Sequence, residues 1–144
     1  MPDGRTHRAI NILGSAVVFG VTWLTYGLHF AIITATAYLV GELWLSPDLD
    51  HRAGSDAYKR WWILAGIWLP YQAMHAHRRW LSHAPILGTL GRLVYLSWLV
   101  GAALLVMWWI GYRMPDIEPF WREGIAVLVG VELAAITHWI ADWW

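Results

Sequence analysis

The sequence predicts an all-α fold: a polytopic membrane helical bundle of about four transmembrane helices plus a short interfacial or re-entrant helix. Residues 1–144 are expected to form a single integral-membrane unit, the length suiting one small bundle. Three observations lead there. Charged residues make up 14% of the chain, well under the roughly 25% of soluble domains. Thirteen tryptophans are too many for a soluble domain of this size, and Trp concentrates where an apolar body meets a wet edge. Apolar runs of bilayer-crossing length, about 20 residues as a helix, alternate with short polar segments.

From Ala9 to Leu45 the only charge is Glu42, over about twice the length of one span. The "YGLH" stretch at 26–29 breaks it, with Gly27 as a helix end. This predicts a hairpin of helices near 9–26 and 29–45. The basic start "MPDGRTHRAI" and the "ATA" at 35–37 imitate a signal peptide. The intervening apolar run is longer than the roughly 7–15 residues of a signal core, so the segment is read as retained. Residues 46–60, "SPDLDHRAGSDAYKR", read as a polar loop. "WWILAGIWLPY", 61–71, is apolar but too short to cross, which suits an interfacial, re-entrant or bundle-packed segment. "LVYLSWLVGAALLVMWWIGY", 93–112, is a span that starts near Ile86 at the earliest. "RMPDIEPFWRE", 113–123, is a turn, and a last helix runs from about Gly124 to Trp143.

Four crossings put both termini and residues 46–83 on one side. That side carries Arg5, Arg8, Arg52, Lys59, Arg60, Arg78, Arg79 and Arg92, against Arg113 and Arg122 on the other. The Lys/Arg excess marks the cytoplasmic face, so both termini are expected to be cytoplasmic. With no cysteine, disulfides and thiolate metal sites are excluded. A formal net charge of zero gives nucleic-acid binding no support.

The same topology gathers the metal-competent residues. His7, Asp48, Asp50, His51, His75, His77, His83, His138 and Asp142 all fall on the cytoplasmic side, and only His29 falls opposite. Asp48 and Asp50, at i and i+2, share a face if the segment is extended; Pro47 disfavours helix just before it. The same residues also suit a solvated turn. His138 and Asp142, at i and i+4, face the same way on a helix; a plain His–Asp hydrogen bond is the simpler alternative. His77 and His83 lie in "HRRWLSH", which also suits anionic lipid headgroups. His7 lies in "GRTHRAI", where a polar helix start explains it equally well. A sulfur-free set of nitrogen and oxygen donors suits Zn²⁺, Mn²⁺ or Fe²⁺, as one or two ions. Arg78 beside the ligands suits a phosphate held in a bidentate fork. Glu42 and Glu132 each precede a ligand candidate by six residues, roughly 9 Å deeper in the bundle. They are candidates for a shared proton, an ion path or simple hydrogen bonding.

"GRTH", "WLSPDLD", "IWLPYQ", "HRRWLSHAPILGT" and "HWIADW" together resemble the uncharacterised metal-binding membrane proteins of bacteria. That family is similar to the broader membrane-bound metal-dependent hydrolases and, at the level of fold analogy, to zinc-dependent phospholipase C. The resemblance covers nearly the whole chain and departs at Arg79, where a small residue is expected. It implies that His7, Asp48, Asp50, His77, His83, His138 and Asp142 are the metal-site positions, in a bacterial inner or thylakoid-type membrane.

These readings leave several functions open. The first is a metal-dependent hydrolase cutting a phosphoester or lipid-derived bond at the cytoplasmic face, with Asp50 or Asp142 as bridging ligand or base and Arg78 orienting the anion. The second is a non-enzymatic small subunit or assembly factor, with a structural metal site and a larger membrane complex as partner. The third is a cation carrier using Glu42 and Glu132. A b-type haem protein fits less well, since His29 is the one histidine away from the shared face.

Overall fold

The computed structural model describes residues 4–50, 55–74, 84–113 and 120–142, with side chains from residue 9 onward. These form six α-helices and two 3-10 turns: α1 (Gly4–Tyr26), α2 (Leu28–Trp44), α3 (Asp56–Arg60), α4 (Leu69–Met74), α5 (Leu87–Trp109) and α6 (Trp121–Ala141), with the turns at Pro47–Asp50 and Trp62–Trp68. No strand occurs among the described residues. Four helices, α1, α2, α5 and α6, are long and apolar enough to cross a membrane. The expected all-helical architecture and its four long apolar helices are therefore present.

The break between α1 and α2 is a single residue. Gly27 sits at φ 89°, ψ 170°, backbone that only glycine adopts without a steric cost. Its N–H closes the last turn of α1 on the Trp23 carbonyl (3.0 Å), and its own carbonyl accepts from Ala31 N–H (3.1 Å). Two antiparallel helices are thus joined by one left-handed residue.

α2 and α6 form the centre of the bundle, with α1 against both. Their buried faces are built from small residues: Ala31, Thr34, Ala37 and Gly41 on α2, and Ala126, Gly130, Ala134 and Ala135 on α6. Small side chains three or four residues apart let helix backbones approach closely in an apolar medium, where packing rather than water exclusion drives association. A Cβ added at Gly130 would collide with the Thr34 carbonyl and lie 2.8 Å from Ala37 Cβ. One added at Gly41 would lie 3.1 Å from Val131 Cα. The helices touch backbone to backbone along this seam.

α5 joins the bundle through its first turns. Gly88, Thr89 and Arg92 are buried, and the Tyr95 hydroxyl donates to the Ile67 carbonyl. Beyond that, Val94, Trp98, Leu105 and Trp109 are exposed.

Two sequence expectations change at the polar end. Residues 46–60 are not simply a loop. Pro47–Asp50 is a 3-10 turn, and Asp56–Arg60 is a short helix whose N-cap Ser55 Oγ accepts from Tyr58 N–H at 3.1 Å. The acid at Asp56 and the bases at Lys59 and Arg60 lie at the helix ends that favour them. The second change concerns Asp48 and Asp50. The extended segment that would align them is absent, because the turn winds them in 3-10 geometry with Leu49 N–H on the Ser46 carbonyl (3.1 Å). Asp50 becomes buried while Asp48 stays partly exposed.

The apolar segment 61–71 packs on the bundle. Trp68 and Tyr71 are buried with Leu49 and Ala57, and the Trp68 ring meets Trp61, Tyr71 and Tyr95. The segment also closes α2. Trp61 Nε1 donates to the Trp44 carbonyl (2.8 Å) and Arg60 Nη1 to the Leu43 carbonyl (3.3 Å), satisfying acceptors that a helix end leaves open.

Candidate metal centre

The close α2–α6 seam ends where polar residues begin. Glu42 follows Gly41 on α2, and His138 lies one helical turn past Ala134 on α6. The seam therefore delivers the two side chains to each other: His138 Nδ1 lies 3.4 Å from Glu42 Oε1. The His138 side chain is 7% exposed and that of Glu42 is 10% exposed. Asn11 of α1 donates from Nδ2 to the same Oε1.

The other edge of the imidazole faces two more carboxylates. His138 Nε2 lies 3.4 Å from Asp48 Oδ2 and 3.7 Å from Asp142 Oδ2. The i,i+4 spacing of His138 and Asp142 places both on one face of α6, as expected from the sequence. Asp48 arrives on the 3-10 turn after α2. Three helical elements thus meet at one imidazole, at one end of the bundle. At the opposite end His29 Nε2 lies 3.2 Å from Glu123 Oε1, so His29 stands apart from the shared face and has a carboxylate neighbour from α6.

The distances bear on metal fit. A charge-assisted N–H···O⁻ bond is about 2.7–2.9 Å long. Donors around a tetrahedral zinc with bonds of about 2.0–2.2 Å stand roughly 3.3–3.6 Å apart. The Nε2–Asp48 separation of 3.4 Å falls within that range, and the Nε2–Asp142 separation of 3.7 Å falls outside it. One imidazole nitrogen and two carboxylate oxygens are also the donor chemistry that zinc, manganese and iron accept. Among the described residues no group of three or more histidine, aspartate or glutamate side chains is arranged to hold a metal ion by itself. His7 lies in the first turn of α1, one turn before Asn11, with its side chain outside the description. His77, His83 and Arg78, together with His51 and His75, lie outside the described residues.

Asp50 belongs to a second polar group beside the first. It is buried at 2% exposure, and its charge acts on the guanidinium of Arg92, as does that of Glu132, while the guanidinium hydrogen-bonds the Tyr71 hydroxyl. Arg92 is 1% exposed and also donates to Thr89 Oγ1 (3.2 Å). Burial holds the Tyr71 phenol above its ordinary pKa, so it remains an O–H donor. Gln72 Nε2 donates to the Leu49 carbonyl at 2.9 Å, tying α4 to the Asp-bearing turn. Glu132 accepts from Ile86 N–H at 2.6 Å, and Ile86 sits at φ 67°. A carboxylate of α6 thereby holds the start of α5, three residues past His83.

Glu42 and Glu132 each have their own partners: Glu42 lies against Asn11 and His138, and Glu132 holds the Ile86 amide. Sequence reasoning counted Arg92 as one more cytoplasmic charge and missed its role. The signal was present, since a charge inside an apolar helix marks a functional or pairing position by default.

The sequence matches the family described as uncharacterized metal-binding protein (DUF2227) over residues 2–144. An uncharacterized protein of Aquifex aeolicus (strain VF5) is 39% identical over 71 residues. That stretch is 49% of this chain and 46% of the relative, so the match spans about half the length of each. No solved structure matches. With nearly every residue matched, and with imidazole and carboxylates converging at one end of the bundle, the chain belongs to this family of metal-binding proteins.

Proposed function

We propose that the protein is an integral membrane metal-dependent hydrolase, with its site at the cytoplasmic end of the bundle and a phosphoester or lipid-derived substrate. The observation that carries this reading is the pair of carboxylates, Asp48 and Asp142, at 3.4 and 3.7 Å from His138 Nε2. His7, His77 and His83 complete the proposed ligand set, with Asp50 as a further ligand or a bridge. A divalent ion there, zinc before manganese or iron, supplies Lewis acidity for phosphoryl or acyl transfer to water. The chain's own contributions are binding and orientation. Arg78 orients the anionic group, and Asp142 or Asp50 serves as bridging ligand or base; the 24% exposure of Asp142 supports its access to a proton. Both termini then face the cytoplasm.

The test is metal content and turnover on the same preparation in mild detergent. Wild type retains one or two zinc equivalents and cleaves at least one member of an ester and phosphoester panel, and His83→Ala abolishes the cleavage. Metal-loaded protein inert across the panel, or activity untouched by His83→Ala, would defeat the hydrolase reading.

One observation favours a second reading, a small subunit or assembly factor with a structural metal. Most of α5 past Arg92 lies exposed, including Trp98 and Trp109, and offers a long apolar face to a larger membrane protein. Stoichiometric co-purification with such a partner, with metal retained and no turnover, selects this reading over the first.

A further inference from the structure

We propose that residues 61–74 form a lipid-docking surface. The outward face of the second 3-10 turn and of α4, with Trp62, Ile63, Leu69 and Met74, lies in the boundary between acyl chains and headgroups. Lys59 and Arg60 beside it meet anionic phospholipid headgroups. The inference rests on the reading of the four long helices as membrane spans. It adds to that reading a second, non-spanning contact with the same bilayer.

The segment has two unlike faces. Ala65 and Trp68, three apart in the 3-10 turn and so eclipsed, are buried, and Tyr71 and Gln72 continue that face into α4. The other side is open: Trp62 is 80% exposed, Ile63 78%, Leu69 55% and Met74 74%. Exposed apolar clusters of this kind mark a contact with membrane or protein. The backbone enforces the division. Trp62 sits at φ 47°, in the left-handed region that is costly for an aromatic residue. This separates two neighbouring tryptophans. Trp61 turns inward, its ring 5.3 Å from that of Trp68 and its Nε1 on the Trp44 carbonyl, while Trp62 turns out.

Two spans fix the depth of the segment. Arg60 and Trp61 bond the last carbonyls of α2, so the segment starts at the end of that helix. The Tyr95 hydroxyl donates to the Ile67 carbonyl, and its ring lies 5.7 Å from that of Trp68. Tyr95 stands eight residues into α5, roughly 12 Å along its axis. α5 has 23 residues, so it is roughly 35 Å long and exceeds the hydrocarbon core of about 30 Å by roughly 5 Å. With all of that excess at this end, the Tyr95 backbone still stands roughly 7 Å inside the core. An interfacial segment sits at about that depth. The backbone suits it, because Leu64 N–H bonds the Trp61 carbonyl (2.8 Å) and Leu69 N–H the Gly66 carbonyl, and unpaired groups are costly there. The charges decide the occupant. Lys59 and Arg60 outweigh Asp56 on α3 and lead directly into the apolar face. A basic pair beside an apolar surface with an outward Trp fits an anionic leaflet, whereas an apolar protein partner has no use for the pair.

The chain has no cysteine, so single-cysteine variants report single sites. Ile63→Cys, Met74→Cys, Leu105→Cys and Asp56→Cys of the full chain are spin-labelled in nanodiscs of phosphatidylcholine and phosphatidylglycerol. Collisions with oxygen and with a water-soluble nickel chelate are then measured. Leu105, exposed on α5, reports the acyl core, and Asp56, exposed on α3, reports water. Labels at residues 63 and 74 should be oxygen-rich and nickel-poor, about 5–10 Å into the boundary. A fluorescent probe at residue 63 should be quenched more by spin-labelled phosphatidylglycerol than by spin-labelled phosphatidylcholine. Lys59→Gln should cut that preference by up to about fivefold. A label at residue 105 in water defeats the membrane reading itself. With residue 105 in the core, labels at 63 and 74 that lie in water defeat this inference alone. So do labels shielded from both reagents, as under a protein partner or a second copy. Equal quenching by the two lipids overturns the role of Lys59 and Arg60.

Discussion

Replacing Gly130 by alanine tests the seam on which the site depends. The new methyl would collide with the Thr34 carbonyl and lie 2.8 Å from Ala37 Cβ and 3.0 Å from Tyr38 N. Ordinary carbon contacts lie at about 3.5–4.0 Å, so α2 and α6 must part by roughly 1 Å at this level. The obstacles are two backbone atoms and a Cβ, which no rotamer change removes. Overpacking of this kind costs about 1–3 kcal/mol. His138 lies eight residues further along α6, roughly 12 Å up the axis, and its 3.4 Å separation from Glu42 Oε1 is already at the limit of a hydrogen bond. The variant should therefore lose stability and zinc affinity together. Gly20→Ala is the matched control. A Cβ there meets nothing within 4 Å, and alanine favours helix over glycine by at most about 1 kcal/mol. Thermal unfolding in one detergent, followed by tryptophan emission, compares the two. If Gly130→Ala is as stable as Gly20→Ala, the helices do not touch along this stripe and the placement of Glu42 against His138 fails with it.

Other perturbations address the site more directly. His138→Ala should lower bound zinc per chain, measured by elemental analysis after desalting, because it removes the nitrogen on which Asp48 and Asp142 converge. Zinc at 100 times its dissociation constant should stabilise the wild type by about 2.7 kcal/mol, and that gain should vanish on chelation and in His138→Ala. Arg92→Ala should destabilise by about 3–5 kcal/mol, seen as a lowered midpoint of unfolding, because it leaves buried Asp50 without the guanidinium; Arg92→Lys should restore part of the loss. Glu123→Gln should leave the unfolding midpoint unmoved, since it removes only the exposed pairing with His29.

The long helices were legible because hydropathy over about 20 residues is a strong, local signal. α1 and α2 separate at Gly27, where the sequence places the break, because backbone at φ 89°, ψ 170° strongly favours glycine. The i,i+4 pairing of His138 and Asp142 needs only helix geometry and was equally readable. The Asp48–Asp50 turn was not, because Pro47 permits both extended and 3-10 backbone and the choice is made by distant contacts. Leu49 buries against Trp68 and Tyr71, and Gln72 takes the Leu49 carbonyl. α3 escaped for a related reason: five residues carry too little periodicity to stand out, although Ser55 and the charge order around it are the signature of a capped helix. The pairing of Arg92 was not legible because a charge near a helix start looks the same in sequence whether it faces water or turns inward toward Asp50 and Glu132.

The two polar groups at this end of the bundle explain each other. Each asks an apolar scaffold to accept charge at depth, and each sets an acidic residue of α6 against a segment that must be held in place. Glu132 accepts from the Ile86 amide, and so holds the start of α5. Arg92, beside Glu132 and Asp50, joins the start of α5 to the turn that presents Asp48. The turn is further bound through Gln72, and α2's end through Trp61. The turn at 46–50 is thereby tied to a frame of α2 and α6 that carries His138 and Asp142. On this argument Glu132→Gln, which weakens the grip on Ile86, and Glu42→Ala, which removes the carboxylate set against His138, should each lower the midpoint of thermal unfolding, and the two losses should add in the double variant. A double variant that loses clearly less than the sum would mean that the two carboxylates act on one network rather than on two.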